Sequence, residues 1–217
     1  MKRRITPTAA VLATTAALLL TACGSGDDKS SDSDKIAAAD TGTPTSSSPS
    51  TSASGTPDRP KIELPSDLSY TFNWPSTGNA AKDAVLADSE QSIKAVDLAI
   101  ANQDPLNKAY LFYYQGEAAA QTQQFIEAYV KAKARTTGSY RYYDAAVDVR
   151  GADNASLVYC EDQSKAYDLY LKTKKVDKTQ ATKNSYVLYS TQMHRNAQGV
   201  WVIAKLLSQR GSSKCRP

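Results

Sequence analysis

The chain contains one histidine, His194, and acid–base chemistry near neutral pH would turn first to it, since imidazole ordinarily titrates there. It shares an alternating stretch with Ser190 and Gln192, just ahead of a turn, where a solvent-facing histidine is the plainer reading. Three cysteines, Cys23, Cys160 and Cys215, are the other reactive side chains. Tyrosines gather in two groups, Tyr110, Tyr113 and Tyr114, then Tyr140, Tyr142 and Tyr143. A tyrosine offers an apolar face and a polar tip, so both groups are candidates for a pocket lining or a sugar-stacking platform, and equally for core and core rim. Lys172, Lys174, Lys175, Lys178 and Lys183 crowd one region that could meet wall-polymer phosphates or form a solvated loop tip. No phosphate-cradling glycine loop, zinc-ligand spacing or serine-nucleophile motif occurs, so neither cofactor, metal nor catalytic constellation is expected.

Cys23 has a context of its own. Lys2, Arg3 and Arg4 make a positive start, and Thr8–Ala22 holds 15 residues without a charge. That length suits the core of an export signal but falls short of the roughly 20 residues that span a bilayer. Leu20-Thr21-Ala22-Cys23 then reads as a lipobox: an aliphatic residue, two small ones, and a cysteine whose thiol accepts a diacylglyceryl group. Residues 1–22 are thus expected to be a lipoprotein signal peptide. Cys23 would carry diacylglycerol and palmitate chains that anchor it on the extracytoplasmic side of the cell membrane. One chain binds a bilayer only marginally, at ~0.8 kcal/mol per buried methylene, and a diacyl group meets the need for a second. Arg3-Arg4 leaves both the general and the twin-arginine export routes open.

Outside the cytoplasm the two remaining cysteines form an even pair in an oxidising compartment, and a Cys160–Cys215 disulfide is expected in preference to two free thiols. Nucleic acid is not an expected partner there. The bilayer is one, and a wall polymer or an envelope protein could be another.

These residues need elements to hold them. Residues 24–60 contain no aromatic side chain, and 41–58 are almost wholly Ser, Thr, Pro and Gly. A stretch of that kind cannot bury enough apolar surface to offset its ordering entropy. A disordered tether over 23–65 is expected, of which residues 24–60 would reach roughly 30 to 37 Å on average. All 13 Tyr, both Trp and all three Phe lie beyond residue 69, which places one globular domain at 66–217. Over residues 61–217 there are 20 Lys and Arg against 16 Asp and Glu, an ordinary balance that demands no polyanionic partner.

Within the domain the period changes once. Val85, Ile93, Val96 and Ile100 line one face of a helix over 79–101, ended by Asn102-Gln103-Asp104-Pro105. A second helical piece opens at Pro105 and a third runs over 118–135, closed by Thr136-Thr137-Gly138. Alternation then predicts strands at 143–150, 155–161, 167–172, 185–194 and 200–209, with a hairpin turn at Asn196–Gly199. Helices followed by an antiparallel meander indicate an α+β fold, with a curved antiparallel sheet wrapped over the helices.

This order, with Cys160-Glu161-Asp162 at a strand end, Gly199-Val200-Trp201-Val202 leaving a hairpin and a final cysteine beyond the last strand, resembles the nuclear transport factor 2-like domains of actinobacterial lipoproteins. The resemblance covers about residues 73–217. It implies a cone-shaped sheet around a long helix, with a pocket at the wide end where His194, Tyr110, Tyr113 and Tyr114 could lie. Dehydratases, isomerases and cyclases of that fold use an Asp–His pair inside the cone, for which Asp144, Asp148 and Asp162 match by type. The fold hosts unrelated functions. The leading expectation is a non-catalytic binding or interaction module of the cell envelope, with a His194-dependent lyase or isomerase as one alternative. An accessory to cell-wall synthesis is the other, since such domains also occur attached to penicillin-binding enzymes.

Overall fold

The computed structural model describes residues 57–216. Cys23, the signal segment and most of the expected tether therefore lie outside the described residues.

The body starts earlier than the composition indicates. Arg59 donates from Nη2 and Nε to Oδ1 of Asp88 at 2.6 and 3.1 Å, and Ile62 packs against the core. Both precede residue 66. A first strand, β1 (Leu68–Phe72), follows, and then three helices: α1 (Ala80–Ala101), α2 (Lys108–Tyr113) and α3 (Gly116–Ala132). The Asn79 side chain caps α1 by accepting from the N–H groups of Ala81 and Lys82, which otherwise have no helical partner. Val85 and Ile100 on the expected face of α1 are fully buried, but so are Asp88, Ser89 and Ser92. A helix buried with so many polar groups must find them partners.

Helix α3 does not run to Thr136-Thr137-Gly138. Lys133 ends it in the left-handed conformation at φ 51°, and the chain turns directly into β2 (Ala134–Arg150). Thr136 and Thr137 look like loop residues by type, but their β-branched side chains suit a strand, and their hydroxyls are bound by Asp97 and Asp67. Gly138 is required there: at φ 92° a Cβ would stand 2.2 Å from the Lys165 carbonyl oxygen.

β2 pairs antiparallel with β3 (Asn154–Tyr170), a single strand of 17 residues where two shorter strands were expected. β3 also pairs with the short β4 (Val176–Asp177) and with β5 (Tyr186–Arg195), which meets β6 (Trp201–Arg210) across the Asn196–Gly199 hairpin. The sheet order is β1-β2-β3-β5-β6. The expectation of a purely antiparallel sheet is corrected, because β1 runs parallel to β2, Leu68 opposite Gly138 through Phe72 opposite Tyr142. A parallel neighbour needs a long crossover, and here the three helices form it. No local pattern announces such a pair.

The sheet is curved. α1 and α3 each pack on both β2 and β6, although β3 and β5 separate those strands, so the sheet wraps around the helices. Register shifts between Ser139 and Arg141 and between Tyr143 and Ala146 supply bends in β2. Tyr110, Tyr113, Trp201 and Ile126 fill the space between sheet and helices.

On the opposite side of β3, Cys160 is joined to Cys215, with their Cα atoms 5.5 Å apart. The disulfide brings the C-terminal tail against Tyr143, Tyr186 and Leu188. The Tyr143 hydroxyl donates to the Arg216 carbonyl at 2.7 Å, tying the tail down a second time.

Candidate ligand pocket

Successive side chains of a strand face opposite ways, so β3 presents Leu157, Tyr159, Glu161 and Gln163 to the helices while Cys160 faces the tail. The same rule brings Tyr140 and Tyr142 of β2 and Tyr189 of β5 to the concave side. Between these strands and the helices lies a cavity of about 320 Å³. Ile93, Val96 and Asp97 of α1 form one wall, and Thr122 of α3 another. Its exposed members, Gln121, Phe125, Ser208 and Arg210, mark the rim.

Two carboxyl groups are set into the lining. Asp97, 8 % exposed, accepts at Oδ2 from the Tyr70 hydroxyl (2.6 Å) and at Oδ1 from the Thr136 hydroxyl (2.7 Å). Glu161, 5 % exposed, accepts at Oε1 from the Tyr142 hydroxyl (2.9 Å) and at Oε2 from the Gln163 amide. The Tyr189 hydroxyl also approaches Glu161. No basic side chain among the described residues pairs with Asp97 or Glu161; Arg210 at the rim donates instead to Gln163 Oε1 and the Asn184 carbonyl.

Burial sets the titration of this pocket. It pushes the Asp97 carboxyl up, against the lowering effect of its Tyr70 and Thr136 bonds. It pushes Glu161 up to about 7, with the Asp97 charge adding to the rise. Burial, and then the nearby acids, also hold the Tyr140 and Tyr142 hydroxyls far above their ordinary range, so they stay protonated donors. The rings brace one another: Tyr142 stacks on Phe72 with centroids 4.8 Å apart, and Tyr159 on Tyr189 at 5.2 Å.

The expected site residues separate. Tyr114 reaches the cavity wall. Tyr110 and Tyr113 are fully buried core, and their hydroxyls find no hydrogen-bond partner among the described residues. His194 stands at the end of β5, outside the cavity lining, with Nε2 3.0 Å from Gln115 Oε1. Asp144 is exposed in the β2 bulge; Asp148 is bound by Arg150 at 2.7 Å and Asp162 by Arg141 at 3.1 Å. None is hydrogen-bonded to His194, and an Asp–His pair in the cone is not formed. The five loop lysines are all exposed. Asp97 and Glu161, which the sequence reading passed over, did leave a signal. Each is an acid in the buried phase of its element, Asp97 beside Val96 on a helix face and Glu161 in step with Leu157 and Tyr159.

No family model and no curated protein matches the sequence. Among solved structures the chain is similar to a nuclear transport factor 2-like superfamily protein from Salmonella enterica, at 12 % identity and TM-score 0.43, covering 64 % of this chain and 95 % of that one. It is similar to a ketosteroid isomerase-like protein from Erwinia carotovora at 14 % identity and TM-score 0.40, covering 62 % and 98 %. It is also similar to a hexachlorocyclohexane dehydrochlorinase from Novosphingobium barchaimii at 9 % identity and TM-score 0.39, covering 61 % and 90 %. The likeness is one of backbone arrangement.

Proposed function

We propose that this chain is a lipid-anchored envelope protein whose folded body binds a small molecule in the tyrosine-lined cavity. The observation that carries the reading is the cavity itself: about 320 Å³, walled by aromatic rings, with two buried carboxyl groups in its lining. Concave, mostly apolar space with a few convergent polar groups is the usual make-up of a small-ligand site. The Leu20-Thr21-Ala22-Cys23 sequence supports the anchor, through acylated Cys23.

Two experiments test the two halves. Fragments screened by ligand-observed NMR against the mature protein should include binders that are lost in Val96→Trp, which fills the cavity. An unchanged set of binders in that variant overturns the pocket reading. Cys23→Ala should leave the membrane fraction for the soluble one, and a variant that stays wholly with membranes overturns the anchor.

A second reading keeps the cavity but makes it a small-molecule lyase or isomerase. Glu161, its carboxyl pushed up to about 7 beside tyrosine hydroxyl donors, has the properties of a proton carrier and lines the cavity, whereas His194 lies outside it. Deuterium uptake at the carbon next to the carbonyl of a bound ketone, abolished in Glu161→Gln, would support it. Bound ketones with no exchange above the buffer rate would remove it.

A further inference from the structure

We infer that the cavity recognises a small organic cation, an alkylammonium group enclosed by Tyr142, Tyr159 and Tyr189 and facing Glu161 and Asp97. The inference rests on the pocket reading above and names the ligand class.

The hydrogen bonds around the two acids carry the first part. All four carboxyl oxygens of Asp97 and Glu161 accept from neutral donors, Tyr70, Thr136, Tyr142 and Gln163, and that pattern matches ionised, acceptor-only carboxylates. Yet no cation of the described chain reaches them. Lys94 lies over Phe72 at 5.0 Å and Arg141 over Tyr143 at 4.3 Å, neither of them in the cavity lining, and Arg210 is engaged at the rim. Two buried carboxyl groups without a counter-ion are costly to ionise, and an incoming cation offsets that cost.

The walls carry the second part. Tyrosine faces are electron-rich and attract a desolvated cation that comes within about 6 Å of a ring centroid. Tyr159 and Tyr189 stack with planes 14° apart, and Tyr142 tilts 59° to Tyr159, so the rings present faces in more than one direction. Tyr159 is 5 % exposed and none of the hydrogen bonds among the described residues uses its hydroxyl, which leaves it available to a ligand. At about 320 Å³ the cavity is within the size range of small-molecule sites. A quaternary ammonium head with a short tail fits that space.

The groups facing Glu161 make the binding pH-dependent. They are Asp97 from α1, Tyr70 from β1, Tyr140 and Tyr142 from β2, Tyr159 of its own strand, Tyr189 from β5 and Tyr114 after α2, with Arg210 of β6 on the rim and no charged residue of α3 in the lining. Among them burial pushes the Glu161 carboxyl up to about 7. A cation should therefore bind more tightly as Glu161 ionises.

Isothermal titration of the mature protein with choline, against its uncharged carbon isostere dimethylbutanol, tests the proposal. Choline should bind at least tenfold more tightly than the isostere, and about tenfold more tightly at pH 8 than at pH 6. Glu161→Gln should lose most of the preference for choline, and Asp97→Asn serves as the second variant should Glu161→Gln unfold. Equal or tighter binding of dimethylbutanol overturns the cation while leaving the pocket. A choline affinity indifferent to pH and to both substitutions overturns it too. If neither compound binds and Val96→Trp changes no fragment binding, the pocket reading and the cation fall together.

Discussion

Arg59 grips Asp88: two guanidinium nitrogens meet Oδ1 of a carboxyl only 1 % exposed, while Oδ2 accepts the Trp201 backbone N–H at 2.9 Å. One aspartate of α1 thereby fastens the segment before β1 on one side and the start of β6 on the other. Removing one partner of a buried ion pair costs about 3–5 kcal/mol, because the other charge stays buried. Arg59 is 36 % exposed, so water recovers part of that loss. For Arg59→Ala we expect a destabilisation of about 2 kcal/mol by urea unfolding. Stability within ~0.5 kcal/mol of the parent would show that the segment merely rests on the body.

The Cys160–Cys215 disulfide closes an interval of 55 residues. The chain-entropy account gives about 4 kcal/mol for a loop of this size. The double variant Cys160→Ser, Cys215→Ser should lower the unfolding free energy by an amount approaching that figure. The Tyr143–Arg216 hydrogen bond alone will not hold the tail, so amide exchange over residues 212–216 should quicken.

Glu161 makes stability fall with rising pH. Its carboxyl moves from an ordinary 4.5 to about 7 on folding, so between those values the folded state binds more protons than the unfolded one. The favourable contribution is complete below pH ~4.5 and is lost as pH climbs through ~7, amounting to about 3 kcal/mol at most. Asp67, Asp83 and Asp162 are lowered and act the opposite way, but only in more acidic solution. Burial raises Asp97 and Glu90 as well, and they act in the same direction, so melting temperatures should decline from pH 5 to pH 8 in both proteins but less steeply in Glu161→Gln. Parallel curves for the two proteins would refute the assignment.

His194→Ala should change little. Its one side-chain partner is Gln115 at an exposed site, and it lies outside the cavity lining. We expect a loss under ~0.5 kcal/mol and unaltered ligand titrations. A binding defect in this variant would restore the histidine to the site.

Much was legible in the sequence where local pattern and structure coincide. The helix over 79–101, the hairpin at Asn196–Gly199 and the last two strands each follow from period and turn chemistry that one segment carries alone. The lipobox and the sparse composition of residues 24–56 are also patterns of adjacent residues, but they lie outside the described residues and stay expectations of the sequence. The Cys160–Cys215 pairing followed from setting Cys23 aside as the expected lipid site, which leaves two thiols with one way to join.

Tertiary structure decided the rest, because it depended on partners far apart in the chain. β1 is a strand only because β2, some seventy residues on, supplies its hydrogen bonds, and the helices between them make the parallel pairing reachable. Thr136-Thr137-Gly138 has the composition of a turn and becomes sheet because Asp97, Asp67 and β3 hold it there. His194 has the chemistry of a catalyst and sits outside the pocket, while Asp97 and Glu161 have buried positions that periodicity alone would give to apolar residues. A side chain's chemistry is written in its type. Which side chains share a low-dielectric space is set by the curvature of the sheet, and that curvature brings an acid of α1 and an acid of β3 to one cavity.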